Sequence, residues 1–180
     1  MGYLTKRIAE KFNLEYEEVP VGFKNVVERT FLEEVLFGAE ESGGYCWKGV
    51  IPERDGLLLT LTLLEIMANR KMKLSELIKE IETLYGTSAY IRFDMTSSKI
   101  IDKNALADKL KKKFPKKILG KTIKEMMCLD GLKVVLSDDS WLLMRPSGTE
   151  PVVRMYAETS KLADTEQFLE LGKKVFATFK

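Results

Sequence analysis

The chain contains no histidine and only two cysteines. Cys46 and Cys128 lie far apart and form no CxxC pair, and without imidazole a zinc site has almost no ligands to draw on. Both are expected to be reduced, buried thiols in a cytoplasmic protein. An excess of one charge is also missing. With 29 basic and 27 acidic side chains the formal charge is +2, so no global field draws nucleic acid or an anionic membrane. No stretch is apolar over the roughly 20 residues that a bilayer span needs. The most apolar one, GLLLTLTLLEIMA from residue 56, reads as a buried helix. Nothing at the N-terminus has the pattern of a signal peptide. No three aspartates stand as D-x-D-x-D, and the nearest acidic pair, Asp138 and Asp139, has the setting of a hairpin turn. Internal repeats and low-complexity segments are absent as well.

What is present is enough to fold. At 180 residues and 45% hydrophobic content the chain can fill the core of one domain or two small ones. Helical spacing of Leu4, Ile8, Phe12 and Leu14 predicts a first helix, and residues 15–22, EYEEVPVG, a short strand running into a turn. FKNVVERTFLEEVL, 23–36, reads as a second amphipathic helix and LFGAE as a short buried strand that opens into the loop ESGGYCWKGVIPERDG. Helices follow over 56–70, with Asp55 as cap, and over LSELIKEIETLYG, with Ser75 as N-cap. Then SAYIRFDMT alternates as a half-buried strand does, a helix runs from Asp102 to Phe114, and LKVVLS, SWLLMR and VVRMYAE read as three strands before a last helix from about Ala163 to Phe179. The basic run KLKKKFPKK, 109–117, fits the solvated side of a helix whose Leu106, Leu110 and Phe114 share the other face. The expected architecture is an α/β layer over 1–86 and a small α+β domain with an antiparallel sheet over 87–180, with the seam at Gly86.

Four segments carry candidate chemistry. In MRPSGTEPVVRM, 144–155, Arg145 offers a planar fork of donors, Ser147 and Thr149 offer hydroxyls, and Gly148 has no Cβ to keep a ligand from its backbone N–H. These are the parts of an anion cradle; the same residues also suit an ordinary hairpin loop. In GAEESGG, 38–44, Glu40 and Ser42 stand two apart, so on an extended segment they point to one side and can bond to vicinal sugar hydroxyls. The competing reading is a turn with solvated charges. In VGFK, Lys24 opens a helix where its ammonium can meet an anion near the helix terminus, or simply be solvated. In IPERDG, Asp55 caps a helix and Arg54 projects from the same loop.

VGFK, GAEESGG, PERDG and RPSGTEP, in that order, resemble the signatures of the α-D-phosphohexomutase family, the phosphoglucomutases and phosphomannomutases, over nearly the whole chain. Members of that family have four domains, and this sequence is similar to the later part of the third (1–86) and the complete fourth (87–180). The resemblance assigns Arg145, Ser147, Gly148 and Thr149 to the phosphate-binding loop, Glu40 and Ser42 to sugar recognition, and Lys24 and Arg54 to substrate contact. Ala39 stands where many relatives have glycine, which restricts the backbone there. Glu150, beside the phosphate loop, is expected to point away or bind backbone N–H.

The resemblance further implies an isomerase, an intramolecular phosphotransferase of carbohydrate metabolism that moves phosphate between positions 1 and 6 of a hexose through a phosphoserine and a bisphosphorylated intermediate. Magnesium serves the parent enzyme. The family's Ser-His nucleophile loop and Asp-rich metal loop have no counterpart here, so this chain is expected to hold no catalytic nucleophile, to bind no metal, and to be inactive alone. Its partners are hexose phosphate, hexose bisphosphate and the missing N-terminal domains. The chain opening on a helix, with the third domain cut through, favours a C-terminal piece of a mutase over a stand-alone sugar-phosphate-binding module or regulator. The EESGG loop leans towards glucose or mannose phosphates; a piece of a phosphoglucosamine mutase is the alternative.

Overall fold

The computed structural model describes residues 2–32 and 34–179, and the chain divides into two units, one up to Gly86 and one from Thr87 onward.

The first unit opens with α1 (Tyr3–Lys11) and α2 (Phe23–Leu32). Between them residues 14–20 have no regular structure, so the expected strand does not form. A strand needs a ladder partner for its N–H and C=O groups, and no described segment pairs with this one. The second helix stops short of its expected end at Leu36; Glu33 lies outside the described residues. β1 (Phe37–Ala39) then pairs antiparallel with β2 (Tyr45–Trp47), placing Phe37 opposite Trp47 and Ala39 opposite Tyr45. β2 lies inside the segment expected as loop. Three residues carry no readable period, and the strand exists because β1 offers its backbone. Phe23 and Val26 of α2 close over Cys46 of β2. That contact requires Gly38, because a Cβ there would lie 2.4 Å from Val26 Cγ1.

Helix α3 (Gly56–Arg70) starts where Asp55 Oδ1 accepts the Leu58 N–H at 2.8 Å. Contrary to expectation, none of its described residues is buried, and Leu57 is 72% exposed. A helix that is apolar on most sides needs neighbours on most sides. Among the described residues the only sheet in this unit is the two-stranded hairpin, which is too small to cover it. Helix α4 (Leu74–Tyr85) follows, with Glu76 Oε2 accepting the Lys73 N–H at 2.7 Å. That backward reach sets the N-cap at Lys73 and leaves Ser75 inside the first turn rather than at the cap.

The second unit is a six-stranded antiparallel sheet. Its strands are β3 (Ala89–Thr96), β4 (Lys117–Ile118), β5 (Lys121–Met127), β6 (Leu132–Leu136), β7 (Trp141–Pro146) and β8 (Val152–Thr159), in the spatial order β3-β8-β7-β6-β5-β4. β4 and β5 are additions to the strands read from the sequence: a register shift between Ile123 and Glu125 breaks the alternation that would announce β5. Alternate residues of β6, β7 and β8, among them Val134, Leu142, Met144 and Met155, form one buried face. It packs with Leu106 and Leu110 of α5 (Lys103–Leu110) and with Phe168 and Val175 of α6 (Leu162–Ala177).

Asp102 starts α5 by accepting the N–H groups of Asn104 and Ala105. The helix gives way to a 3-10 turn, Lys111–Lys113, and Phe114 is already extended. Pro115 explains this early end, since the residue before proline avoids the helical region. Cys46 is buried as expected, but Cys128 is exposed, one residue beyond the end of β5.

Candidate substrate-binding site

In the second unit the sheet delivers Arg145 at the end of β7, and the chain returns as β8 only from Val152. The intervening loop is closed by two backbone bonds, Ser147 N–H to Val152 O at 2.8 Å and Val152 N–H to Glu150 O at 2.8 Å. Ser147 is 4% exposed, and its Oγ accepts from the N–H groups of Thr149 (3.4 Å) and Glu150 (3.2 Å). Its hydroxyl therefore shapes the turn from within, as the hairpin reading required. Gly148 and Thr149 are exposed, and nothing lies within 4 Å of where a Gly148 Cβ would be. The loop thus presents an open edge beside a guanidinium, and the cradle and turn readings are compatible.

The charges around Arg145 are arranged in a row. Asp130 Oδ2 lies 2.6 Å from Arg145 Nε. Across the β7–β8 ladder Arg145 sits directly opposite Arg154. Two cations side by side would repel, but Arg154 has its own acids: its Nη2 donates to Glu150 Oε2 at 3.1 Å and its Nε lies 3.7 Å from Asp94 Oδ2. The exposed Glu150 carboxylate is thus bonded by the Arg154 side chain and not by backbone N–H. Asp94 in turn accepts two bonds from Arg92, at 3.0 and 3.1 Å. Those bonds, which outweigh the effect of burial and are helped by the Arg92 and Arg154 charges, hold its carboxyl below the usual range. Asp130 and Arg154 are the residues that sequence reading passes over. The alternation of β8 and the "DG" before β6 were visible, but neither shows which strands become neighbours.

In the first unit Glu40 to Gly44 form the turn of the β1–β2 hairpin, with Glu40 N–H bonded to Gly44 O and Gly43 N–H to Glu40 O. Glu40 and Ser42 do meet, though through this turn and not through extended alternation: Ser42 Oγ donates to Glu40 Oε1 at 2.6 Å. Arg54 Nη1 stands 3.7 Å from the same oxygen, and its guanidinium lies over the Phe23 ring at 5.5 Å. Gly44 makes room for the arginine stem, because a Cβ there would fall 2.7 Å from Arg54 Cδ. Lys24 and Arg54 line one open depression of about 500 Å³ together with Phe23, Phe31 and Glu53. Buried Cys46 has its thiol pushed up by desolvation, against a lowering bond with the Gly38 backbone, which disfavours the reactive thiolate. Among the described residues no three acids or thiols gather into a group that could hold a metal ion.

Comparison with known proteins decides the family. The family model described as phosphoglucomutase/phosphomannomutase, alpha/beta/alpha domain III, matches residues 2–85, and that of the C-terminal domain matches residues 67–171. The chain belongs to the phosphoglucomutase/phosphomannomutase family. A phosphoglucomutase/phosphomannomutase of Thermococcus kodakarensis is 34% identical over 152 residues, covering 83% of this chain and 30% of that protein. A phosphoglucosamine mutase of Methanococcus maripaludis is 30% identical over 173 residues, covering 94% of this chain and 36% of its own length. Among solved structures, a Thermus thermophilus protein provisionally named a phosphomannomutase superposes with a TM-score of 0.76 at 31% identity, over 98% of this chain and 35% of that one. The chain thus spans about a third of the length of these mutases and corresponds to their C-terminal part. No helix among the described residues is long and apolar enough to cross a membrane.

Proposed function

We propose that this chain is the substrate-recognising C-terminal portion of a phosphohexomutase, an isomerase that moves a phosphoryl group between positions 1 and 6 of a hexose through a phosphoserine and a bisphosphorylated intermediate. One observation carries the reading: Arg145 stands at the mouth of a closed turn whose Gly148 and Thr149 edge is open. Arginine's fork beside exposed backbone is the chemistry that grips a phosphate. The second unit holds the phosphate that is not reacting, while Glu40 and Ser42 of the first unit take ring hydroxyls, with Lys24 and Arg54 as further substrate contacts. A site that must accept a sugar in two flipped orientations has to grip features common to both, and one phosphate clamp with one pair of ring hydroxyls meets that need.

Phosphoryl transfer depends on positioning and on charge stabilisation. This chain supplies the first. Nucleophile and magnesium belong to other parts of the cytoplasmic parent, and the chain alone turns over no substrate. The kinship to a phosphoglucosamine mutase supports an amino-sugar phosphate as the second reading of the substrate.

Three or four charge-assisted bonds contribute about 1.5 to 3 kcal/mol each, against an association cost of about 4 to 15 kcal/mol. The surplus corresponds to binding of about millimolar strength. Titrating the 15N-labelled chain with glucose 1-phosphate is expected to move the Ser147, Gly148 and Thr149 amides at such concentrations, and Arg145→Ala to abolish the movement. Low-micromolar affinity, or unchanged shifts in Arg145→Ala, refutes the assignment.

A further inference from the structure

The geometry points to Asp130 as the positioning residue that aims Arg145 at its phosphate. The inference rests on the reading of Arg145 as a phosphate ligand and adds a residue that touches no ligand itself. Three observations converge on it. First, Asp130 Oδ2 lies 2.6 Å from Arg145 Nε, and both atoms are shut off from water without forming an aligned hydrogen bond to anything described. The link is an ion pair on one edge of the guanidinium, and the two Nη groups have no hydrogen-bond partner among the described residues. Second, the backbone beside Asp130 is wedged in place. Gly131 has φ +113°, and a Cβ there would lie 2.3 Å from Met144 O and 3.1 Å from Arg145 Cα. Asp130 is therefore carried close against the strand that bears the guanidinium. Third, Arg145 faces Arg154 across the β7–β8 ladder, a like charge that Glu150 and Asp94 hold and that disfavours a swing of the guanidinium towards β8.

With the carboxylate on the Nε edge and a like charge on the neighbouring strand, the Nη groups are the ones left to meet an anion, and an aimed fork loses less entropy on binding than a loose one. Asp130 is itself steadied by Lys103 Nζ, 3.8 Å from its Oδ1. The carboxylate acts on the Nε edge and does not fill the place of the ligand, so removing its charge weakens phosphate binding. A competitor for that place would have the opposite effect.

The test uses the full 15N-labelled chain with inorganic phosphate as probe, at constant ionic strength, to about 50 mM because the expected affinity is near millimolar. Potassium chloride serves as the control. The Ser147, Gly148 and Thr149 amides and the Arg145 Nε–Hε signal are followed. Asp130→Asn, which keeps the shape and removes the charge, is expected to weaken phosphate binding about tenfold and to move the Nε–Hε signal. Asp130→Glu is expected to recover part of both. In the unaltered chain Arg145 Nε–Hε is expected to be ordered like rigid backbone, with an order parameter of about 0.85. Unchanged or tighter binding in Asp130→Asn overturns the proposal. Should that variant fail to fold, the relaxation measurement decides alone, and a disordered Nε–Hε overturns it. Loss of binding in Arg145→Ala with none in Asp130→Asn removes only the role of Asp130. Unchanged binding in Arg145→Ala removes the phosphate reading and this inference together.

Discussion

Replacing Gly131 by alanine deletes no contact and adds one methyl group against the backbone of β7. The new carbon would lie 2.3 Å from Met144 O and 3.2 Å from Met144 C, well inside contact distance, and neither atom is a flexible side-chain end. The position also has φ +113°, where an L side chain is strained whatever the space around it. The conformational part costs about 1 kcal/mol and the forced shift of packed backbone about 1 to 3 kcal/mol, so the second unit should lose about 2 to 4 kcal/mol of stability. At a urea dependence of about 2 kcal/mol per molar, the unfolding midpoint falls by about 1 to 2 M. Trp141 reports this unit by fluorescence once Trp47, in the other unit, is changed to Phe. Gly148→Ala is the matched control. Its Cβ meets nothing within 4 Å and its φ is not positive, so the midpoint should move by no more than the equivalent of about 0.5 kcal/mol. A shift below about 0.3 M for Gly131→Ala, or equal shifts for the two variants, would refute the claim that the close approach of β6 and β7 beside Arg145 forbids a side chain.

Three further outcomes follow from the same structure. Burial raises the pKa of the Asp138 carboxyl, but bonds from Lys121 and from the Ser140 hydroxyl and N–H outweigh it, so the folded pKa lies below the unfolded one. Its contribution to stability is thus present above the ordinary carboxylate value of about 3.9 and disappears as pH falls through the lower folded value. A 13C titration placing the Asp138 midpoint at or above the ordinary value would contradict this. Asp55→Ala removes the bond that starts α3 and should cost about 1 kcal/mol in the first unit, read from Trp47 fluorescence in urea; no loss would mean that the cap is not used in solution. Ser42→Ala should leave the response of the 147–149 amides to inorganic phosphate unchanged while erasing any advantage of glucose 1-phosphate over it, and a retained advantage would detach Ser42 from sugar recognition.

Local chemistry explains which elements could be read from the sequence. β6, β7 and β8 stand out as short apolar runs bounded by turn residues, and Asp55 and Asp102 announce the helices that they cap, because these signals act between neighbours in the chain. β5 was hidden by its bulge, and β2 by its brevity. The strand expected over 15–22 and the burial expected for α3 both failed for one reason: each depends on a neighbouring layer that the described unit does not contain. At the candidate site, Arg145, Ser147 and Gly148 were legible as residue types near turn formers. The inward aim of the Ser147 hydroxyl was not, since it depends on how the loop closes.

By itself the sequence determined the order of the helices and of the main strands, the four motifs, and the kinship these carry, because periodicity, capping and turn chemistry operate within a few residues. Only the tertiary structure decided that Asp130 meets Arg145 and that Arg154 stands opposite it with Glu150 and Asp94 as its own acids. It also decided that Glu40 and Ser42 meet through a hairpin turn. Electrostatic pairing acts through space over a few ångströms, and which charges come that close is set by strand order and register, quantities that no short window of sequence contains.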